Sequence, residues 1–408
     1  MKTTRWAIGA FAVVATLGLS ACGSGFSGGA TKQDSSKPLT VLIGSSGAAE
    51  TAAVKSAVAD WSKKSGTKAT VQVASDLNQQ LAQGFSSGKP ADVFYLSTDQ
   101  LATYATNGSL LAYGDSLKNK SDFYPALVKA FTLNNKFYCA PKDFSTLQLI
   151  INTSKWQAAG LTDADIPTTW DQLSAVAKKL TSGGTTGLVM GGEYARMGAF
   201  MVQAGGNIVN SDNTKATADS AGNVTALDYI KQNLQQGSFA LAADVGAGWG
   251  GEAFGKQLGA MTVEGNWIAG AMKADFPDVQ YRAVPLPKGP EGAGTLQFTN
   301  CWGVAADSAN TQGAQDLIAQ LTSTSDQLAF AKAFGVLPSI QSAASEFRTA
   351  YPELVPFLNG VDYAKTPPTA KGSADVVADL NSKLAQLKSQ DPATVLAATQ
   401  KNLAPLYK

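Results

Sequence analysis

The sequence contains no histidine, few charged residues and few cysteines, and each shortage argues against a class of function. Histidine is the commonest general base and the commonest metal ligand, so we expect no metal and no cofactor. Charged residues make up only 15% of the 408 positions, and the formal net charge is +1. Nucleic-acid binding requires a basic surface, so this balance argues against a nucleic-acid partner.

The chain is nevertheless rich enough in apolar residues to fold. Its hydrophobic fraction is 44%, which is typical of globular proteins and not of disordered ones. Its length predicts two or three domains.

The first 21 residues have the pattern of an export signal. Lys2 and Arg5 are followed by the apolar run Trp6–Leu19, which is short for a membrane span. The run leads into Leu19-Ser20-Ala21-Cys22, which resembles the lipobox of bacterial lipoproteins, where the cysteine becomes the lipidated first residue. The alternative is an ordinary signal peptide with an incidental cysteine.

The lipobox pattern predicts where the mature protein resides. Residues 1–21 are the expected signal peptide, and Cys22 is the expected lipidation site. The Gly- and Ser-rich residues 22–37 have no apolar period and predict a flexible tether. We therefore expect a protein on the extracellular face of the cell membrane, held there by its lipid alone.

Two cysteines remain after Cys22, and they have two possible fates. An exported compartment permits a disulfide between Cys139 and Cys301. Such a bridge would close a long loop and stabilise the fold by about 5 kcal/mol in the chain-entropy account. The alternative is a pair of separate buried thiols.

Strand and helix patterns alternate three times in the first part of the chain, which is typical of a parallel α/β sheet. The segment 134–152 then forms an apolar strand, a polar elbow at Pro141-Lys142-Asp143 and a second strand at Leu147–Ile151. This order predicts that the chain crosses there from one α/β lobe into another. A helix-rich second region follows.

Several short motifs resemble, in order and spacing, the extracellular sugar-binding lipoproteins of ABC importers, the group that includes maltose- and trehalose-type binding proteins. The resemblance covers essentially the whole mature chain. Besides the lipobox, it rests on Pro90–Tyr95, Tyr138–Asn152, Gly259–Trp267, Ala283–Pro287 and Phe334–Ser339.

The resemblance implies a type II periplasmic-binding-protein fold, an α/β architecture of two lobes joined by hinge crossings. We expect an N-terminal lobe of residues 38–148 and 302–347, and a C-terminal lobe of residues 149–301 and 348–408. A third crossing is expected between Glu346 and Leu358. The implied function is to bind a mono- or oligosaccharide, as a monomer, and deliver it to the transmembrane subunits of an ABC permease.

Ligands of open parallel sheets bind beyond the carboxyl ends of the strands, so the turns after the strands supply the candidate site. Sugars need carboxylates and amides for their hydroxyls and an aromatic ring for their flat face. Trp267 also matches the stacking tryptophan of the resembling family, and Asp99 its hydroxyl-binding acid. The candidate ligand-binding residues are Ser46, Asp76, Ser97, Asp99, Asp143, Glu193, Tyr194, Trp249, Glu264, Asn266, Trp267, Asn300 and Trp302.

Structural roles compete with binding at several of these positions. Trp267 could cover the core of its lobe, and Trp302 could pack behind a disulfide. Asp99 could merely start a helix, Glu264 could cap one, and Asp143 could pair with Lys142 in the hinge.

Two other functions fit parts of the sequence. A surface-anchored glycan-active enzyme would use carboxylate pairs such as Asp143 and Glu264, although a chain with 31 acidic residues contains many pairs. A binding protein for a non-sugar solute could share the same fold. We expect binding without catalysis.

Overall fold

The structure is a computed structural model that describes residues 33–407. The strands are β1 Leu39–Ile43, β2 Ala69–Val73, β3 Val93–Ser97, β4 Thr132–Leu133, β5 Lys136–Phe137, β6 Ala140–Asn152, β7 Thr186–Met190, β8 Phe239–Leu241, β9 Gly259–Gly265, β10 Tyr281–Val284, β11 Thr295–Val304 and β12 Ala364–Lys365.

The α-helices connect these strands. They are α1 Ala48–Ser65, α2 Leu77–Ser86, α3 Thr98–Thr106, α4 Pro125–Ala130, α5 Thr153–Ala158, α6 Trp170–Leu180, α7 Tyr194–Gln203, α8 Ala221–Gln236, α9 Gly250–Gly255, α10 Trp267–Asp275, α11 Thr311–Leu321, α12 Thr324–Phe334, α13 Ala344–Ala350, α14 Val355–Asn359, α15 Ser373–Leu384 and α16 Pro392–Leu403. Within residues 33–407, every helix is too short or too polar to cross a bilayer.

One sheet runs through both halves of the molecule, in the order β2-β1-β3-β11-β6-β9-β7-β8. At one end β1 pairs in parallel with β2 and β3, and at the other β7 pairs in parallel with β8 and β9. Between them the long strands β6 and β11 pair antiparallel with each other. Each parallel unit is therefore a separate α/β half, and β6 and β11 are the strands that join the halves.

Each half has its own hydrophobic core. One core contains β1 and β3 with α1 and α11, and the other contains β7 and β9 with α6, α7 and α8. We call the first half the N lobe and the second the C lobe. The predicted fold class, two α/β lobes joined by crossing strands, is confirmed, whereas the residue boundaries assigned to the lobes stay a prediction.

The first crossing is a single buried strand, so the prediction of two strands separated by an elbow was wrong. In the register of β6 against β11, Asp143 pairs with Asn300 and Pro141 pairs with Cys301. Lys142, between them, has no partner residue in β11. This is a β-bulge, which bends a strand without ending it. Gln327 Nε2 donates to the Lys142 carbonyl at 2.8 Å and thereby holds the bulge.

The cysteines form the predicted disulfide. Cys139 and Cys301 are fully buried, 162 positions apart in sequence, with their Cα atoms 5.7 Å apart. Cys139 directly precedes β6 and Cys301 lies in β11. The bridge therefore links the two crossing strands on the N-lobe side of the bulge.

The last residues of the predicted tether are docked on the N lobe, whereas the boundaries assigned to the tether stay a prediction. The Gln33 side chain accepts from the backbone and hydroxyl of Thr311 at 3.0 and 2.7 Å. The amide of Asn310 donates to the carbonyls of Ser35 and Lys37 at 3.0 and 2.9 Å. The bond from Gln33 satisfies a backbone N–H in the first turn of α11, and those from Asn310 satisfy carbonyls of the docked segment. The predicted signal peptide, Cys22 and the tether up to residue 32 lie outside the described residues.

Candidate ligand-binding cleft

A cleft of about 570 Å³ lies between the lobes, within the usual size range of small-molecule sites. The turns after β1 and β3 line it from the N lobe, and the starts of α7 and α10 line it from the C lobe. Parts of β6 and β11 form its floor. A second cavity of about 500 Å³, lined by parts of residues 129–134, 205–220 and 365–369, contains none of the predicted site residues.

The structure brings most of the predicted residues together in the cleft. They come from both lobes and from the crossing strands, which lie far apart in sequence. Those that line the cleft are Ser46, Ser97, Asp99, Asp143, Tyr194, Asn266, Trp267 and Asn300.

A buried cation with two carboxylates forms part of the N-lobe side. Lys142 extends from the bulge to Glu50 Oε1 at 3.1 Å and also contacts the Asp143 carboxylate. Glu50 accepts in addition from the backbone and hydroxyl of Ser46, both at 2.7 Å, and from the Tyr95 hydroxyl at 3.0 Å. The ion pair that competed with binding at Asp143 is therefore present, although Asp143 also lines the cleft.

Burial and pairing act in opposite directions on these charges. Burial alone would raise the pKa of Glu50, but Lys142 and the Ser46 hydrogen bonds hold that pKa below its ordinary value. Burial alone would lower the pKa of Lys142, but the Asp143 and Glu50 carboxylates raise it. For Asp143 burial dominates and raises the pKa despite the ammonium beside it. Lys142 is therefore charged throughout the physiological range.

Trp267 faces the cleft from the C lobe and is held by charged neighbours. Its indole N–H donates to Glu264 Oε2 at 2.9 Å, and the Arg196 guanidinium lies 5.2 Å from the ring centroid. Arg196 in turn bonds to Glu264 Oε2 at 2.7 Å. The ring stays 37% exposed, whereas most large apolar side chains of the described region are buried. Its position is therefore fixed before any ligand arrives.

Gly265 is required for that position. A Cβ at residue 265 would lie 2.3 Å from the nearest carbon of the Trp267 ring, a distance that real contacts do not reach. The sequence Glu264-Gly265-Asn266-Trp267 thus supplies the acid that holds the ring, the space for it and the ring itself.

Several lining residues were missed by the sequence interpretation because they lie within strands. Ser145 of β6 and Gln297 and Thr299 of β11 line the floor. Among the described residues, Ser145 Oγ, Gln297 Oε1 and Asn266 Oδ1 are buried without a hydrogen-bond partner. Buried polar atoms of this kind carry a free-energy cost while they lack a hydrogen-bond partner.

Helix α15 and the segment before it also contribute unpredicted residues. Val377 and Asn381 line the cleft together with Pro367 and Pro368. Asn381 Oδ1 accepts from the Tyr194 backbone N–H at 2.8 Å and so satisfies the first turn of α7. The available signal was the position of Asn381 directly after Leu380, a leucine that shares a helical spacing with Val376 and Leu384.

The two other candidate tryptophans do not line the cleft. Trp302 is 1% exposed and packs edge-on against Tyr95 in the N-lobe core, which corrects its assignment to the site. Trp249 precedes α9, and its ring packs against the start of that helix. A Cβ at Gly251 would lie 2.1 Å from the ring. Both side chains pack against apolar neighbours and are therefore not exposed to the cleft.

Three predicted acids also lie outside the lining. Asp76 caps α2 by accepting from the Gln79 backbone N–H at 3.0 Å. Glu193 pairs with Arg196 at 3.4 Å. Glu264 is fully buried behind Trp267, and this burial raises its pKa. Glu264 therefore supports the site from behind and does not face it.

The acidic residues do not assemble a metal site within residues 33–407, where no cluster of three or more potential ligand side chains occurs.

Comparison with known proteins identifies the family. A profile described as bacterial extracellular solute-binding protein matches residues 56–356, which is most of the chain. The chain belongs to this family. The membership confirms the expected relationship, and it gives the protein an extracellular role in solute binding.

Proteins similar to this solute-binding protein include one relative by sequence and two solved structures with different ligands. An uncharacterized ABC transporter extracellular-binding protein of Pyrococcus horikoshii is 25% identical over 344 residues, 78% of this chain and 76% of the relative. The GacH receptor of Streptomyces glaucescens, solved unliganded and with acarbose, has a TM-score of 0.78, 23% identity and coverage of 91% and 98% of the two chains. UgpB of Mycobacterium tuberculosis, solved with glycerophosphocholine, has a TM-score of 0.76, 18% identity and coverage of 90% and 98%. These similarities establish the fold.

Proposed function

We propose that this protein captures a mono- or oligosaccharide in the interlobe cleft and delivers it to the permease of an ABC importer. The observation that carries the proposal is Trp267, an exposed indole fixed by Glu264 and Arg196 beside polar groups from both lobes. An aromatic face covers the C–H face of a sugar ring, while carboxylates and amides bond its hydroxyls. The acarbose complex of the structurally similar GacH receptor supports the same ligand class.

Binding from two lobes gives the protein a way to report its occupancy. A ligand that contacts both lobes stabilises the state in which they are close together, so it shifts the population toward the closed form. The closed form then docks on the permease. The transporter name of the Pyrococcus horikoshii relative supports this partner.

The proposed location is the outer surface of the cell membrane. Cys22 carries the lipid, and the Gly- and Ser-rich segment after it connects the lipid to the folded protein. Residues 33–37 dock on α11 and fix where the tether leaves the N lobe.

A thermal-shift screen over mono-, di- and trisaccharides tests the proposal. A ligand that binds only the folded state increases the unfolding free energy by RT ln(1 + [L]/Kd) and therefore raises the melting temperature. We expect at least one saccharide to raise the melting temperature of the wild type and not that of Trp267→Ala. A complete absence of saccharide shifts would reject the proposal, and turnover of the bound glycan would replace it with an enzymatic one.

A non-sugar solute is the second candidate function, and the glycerophosphocholine complex of the structurally similar UgpB favours it. The same screen separates the candidates when glycerophosphodiesters are included. A shift with glycerophosphocholine and none with saccharides would establish the second candidate.

A further inference from the structure

We propose that the cleft selects its ligand by charge: it admits neutral and basic saccharides and rejects anionic ones such as uronates and sugar phosphates, with Asp99 as the selecting residue. The saccharide class in this statement rests on the proposed function, whereas the charge selection stands on the cleft itself.

The acids of the cleft outnumber its cations. Of the described residues that line it, Glu50, Asp99 and Asp143 are acidic and Lys142 is the one basic residue. The formal charges of these side chains give the lining a net negative charge.

The single cation is already committed. Lys142 contacts two carboxylates, lies 4.5 Å from the Tyr95 ring centroid and is only 8% exposed. An anionic ligand at Lys142 would therefore meet an ammonium whose charge Glu50 and Asp143 already offset, and it would be repelled by both carboxylates.

Arg196, the cation behind Trp267, does not compensate for the acids of the lining. Its guanidinium is bonded to Glu264 at 2.7 Å, pairs with Glu193 at 3.4 Å and lies over the Trp267 ring. It is absent from the residues that line the cleft.

Asp99, by contrast, is an unpaired acid. No Lys or Arg of the described region forms a salt bridge with it, and its hydrogen bond within residues 33–407 comes from the neighbouring Gln100 amide at 3.3 Å. It stands in the first turn of α3, directly after β3, and lines the cleft. Its carboxylate can accept from sugar hydroxyls or pair with an amine, and it repels an anion.

The cleft geometry strengthens this selection. Clefts lined by one sign of charge, with low-dielectric walls, concentrate the field and change the local concentration of ions. The local concentrations of small cations and anions therefore report the charge of the cleft, even when the ligand is unidentified.

Trp267 provides the reporter for such a measurement. Four other tryptophans, Trp61, Trp156, Trp170 and Trp302, are no more than 7% exposed. The quenching of Trp267 is obtained as the difference between the fluorescence of the wild type and that of Trp267→Phe. Caesium and iodide are compared at constant ionic strength, each normalised to its quenching of N-acetyltryptophanamide.

We expect caesium to quench Trp267 at least about twofold more strongly than iodide, because a negative cleft attracts the cation and repels the anion. Asp99→Asn should reduce the ratio toward one, and Asp99→Lys should reverse it. Asp60→Asn removes an exposed acid of α1 that does not line the cleft, so it should leave the ratio unchanged.

A ratio near or below one in the wild type would overturn the proposal, and so would a ratio that Asp99→Asn and Asp99→Lys leave unchanged. These results are independent of the saccharide screen. A negative cleft without saccharide binding would contradict the proposed function alone, and saccharide binding with an unbiased quenching ratio would contradict the charge selection alone.

Discussion

The side-chain amide of Asn266 donates to the carbonyl oxygen of Gly335 at 2.8 Å, and this bond joins the two lobes. Asn266 precedes α10 in the C lobe, whereas Gly335 ends α12, which packs on α1 in the N lobe. Both residues line the cleft. The bond is available only while the lobes are close, so it favours the closed state.

Asn266→Ala should therefore weaken ligand affinity. A neutral hydrogen bond contributes about 0.5–1.5 kcal/mol, so the dissociation constant should rise about two- to tenfold. Calorimetric titration with a saccharide from the screen measures it. Asn119→Ala is the matched control, because that amide bonds to Thr322 inside the N lobe. Equal effects of the two changes would contradict a specific role in closure.

Trp267→Ala should reduce saccharide affinity at least about tenfold, since the aromatic face is lost while the fold keeps its cores. Trp249→Ala is the control, because Trp249 does not line the cleft. Titration calorimetry measures affinity, and circular dichroism checks the fold. Unchanged affinity in Trp267→Ala would remove this residue from the site.

Gly265→Ala should impair binding without touching any polar contact of the ligand. The added methyl would lie 2.3 Å from the Trp267 ring and force the ring to move. Gly270→Ala is the matched control in α10, because its Cβ meets nothing within 4 Å and alanine favours a helix by about 1 kcal/mol. We expect affinity to fall only in Gly265→Ala, together with a changed Trp267 emission spectrum. Normal affinity in that variant would show that the ring position is unimportant.

Removal of the disulfide should destabilise the protein and keep its fold class. The bridge closes 162 positions. The chain-entropy account then predicts that the Cys139→Ala/Cys301→Ala variant loses up to about 5 kcal/mol of unfolding free energy. Denaturant unfolding under non-reducing conditions measures the loss. A variant as stable as the wild type would show that the bridge does not constrain the unfolded chain.

Glu50 should make stability depend on pH in the acid range. Its pKa is held below the ordinary value of 4.5, so its contribution is fully present above that value and is lost as the pH falls below it. We expect the unfolding free energy to fall more between pH 7 and acid pH in the wild type than in Glu50→Gln. Denaturant unfolding at both pH values measures it. Parallel pH dependence in both proteins would remove Glu50 from the account.

The sequence interpretation succeeded where function follows from local order. Ser46 and Asp99 follow N-lobe strands, Ser97 ends one, and Asn266 and Trp267 follow a C-lobe strand. The carboxyl ends of parallel strands face the ligand in every such sheet, so a correct strand assignment places these residues.

Residues within strands and helices could not be placed in the same way. Trp302 lies only two positions beyond Asn300 in β11, yet Asn300 lines the cleft and Trp302 belongs to the N-lobe core. Where a crossing strand leaves the cleft depends on how the lobes pack. Gln297 and Asn381 were missed because the packing of several strands and helices, and not the local sequence, places them at the cleft.

The polar elbow shows a similar limit. Pro141-Lys142-Asp143 does interrupt an apolar pattern, but Lys142 has buried partners in Glu50 and Asp143. Glu50 lies 92 positions earlier in the chain. A distant carboxylate that satisfies a buried lysine cannot be read from the sequence around it, so the bulge resembled a break.

Calorimetric titration of the wild type and Trp267→Ala with the best saccharide of the thermal-shift screen tests the central claim most directly. We expect the wild type to bind one saccharide per chain, and the variant to bind it with an affinity at least about tenfold lower. Failure of every saccharide to bind, or equal affinity in the two proteins, would contradict it.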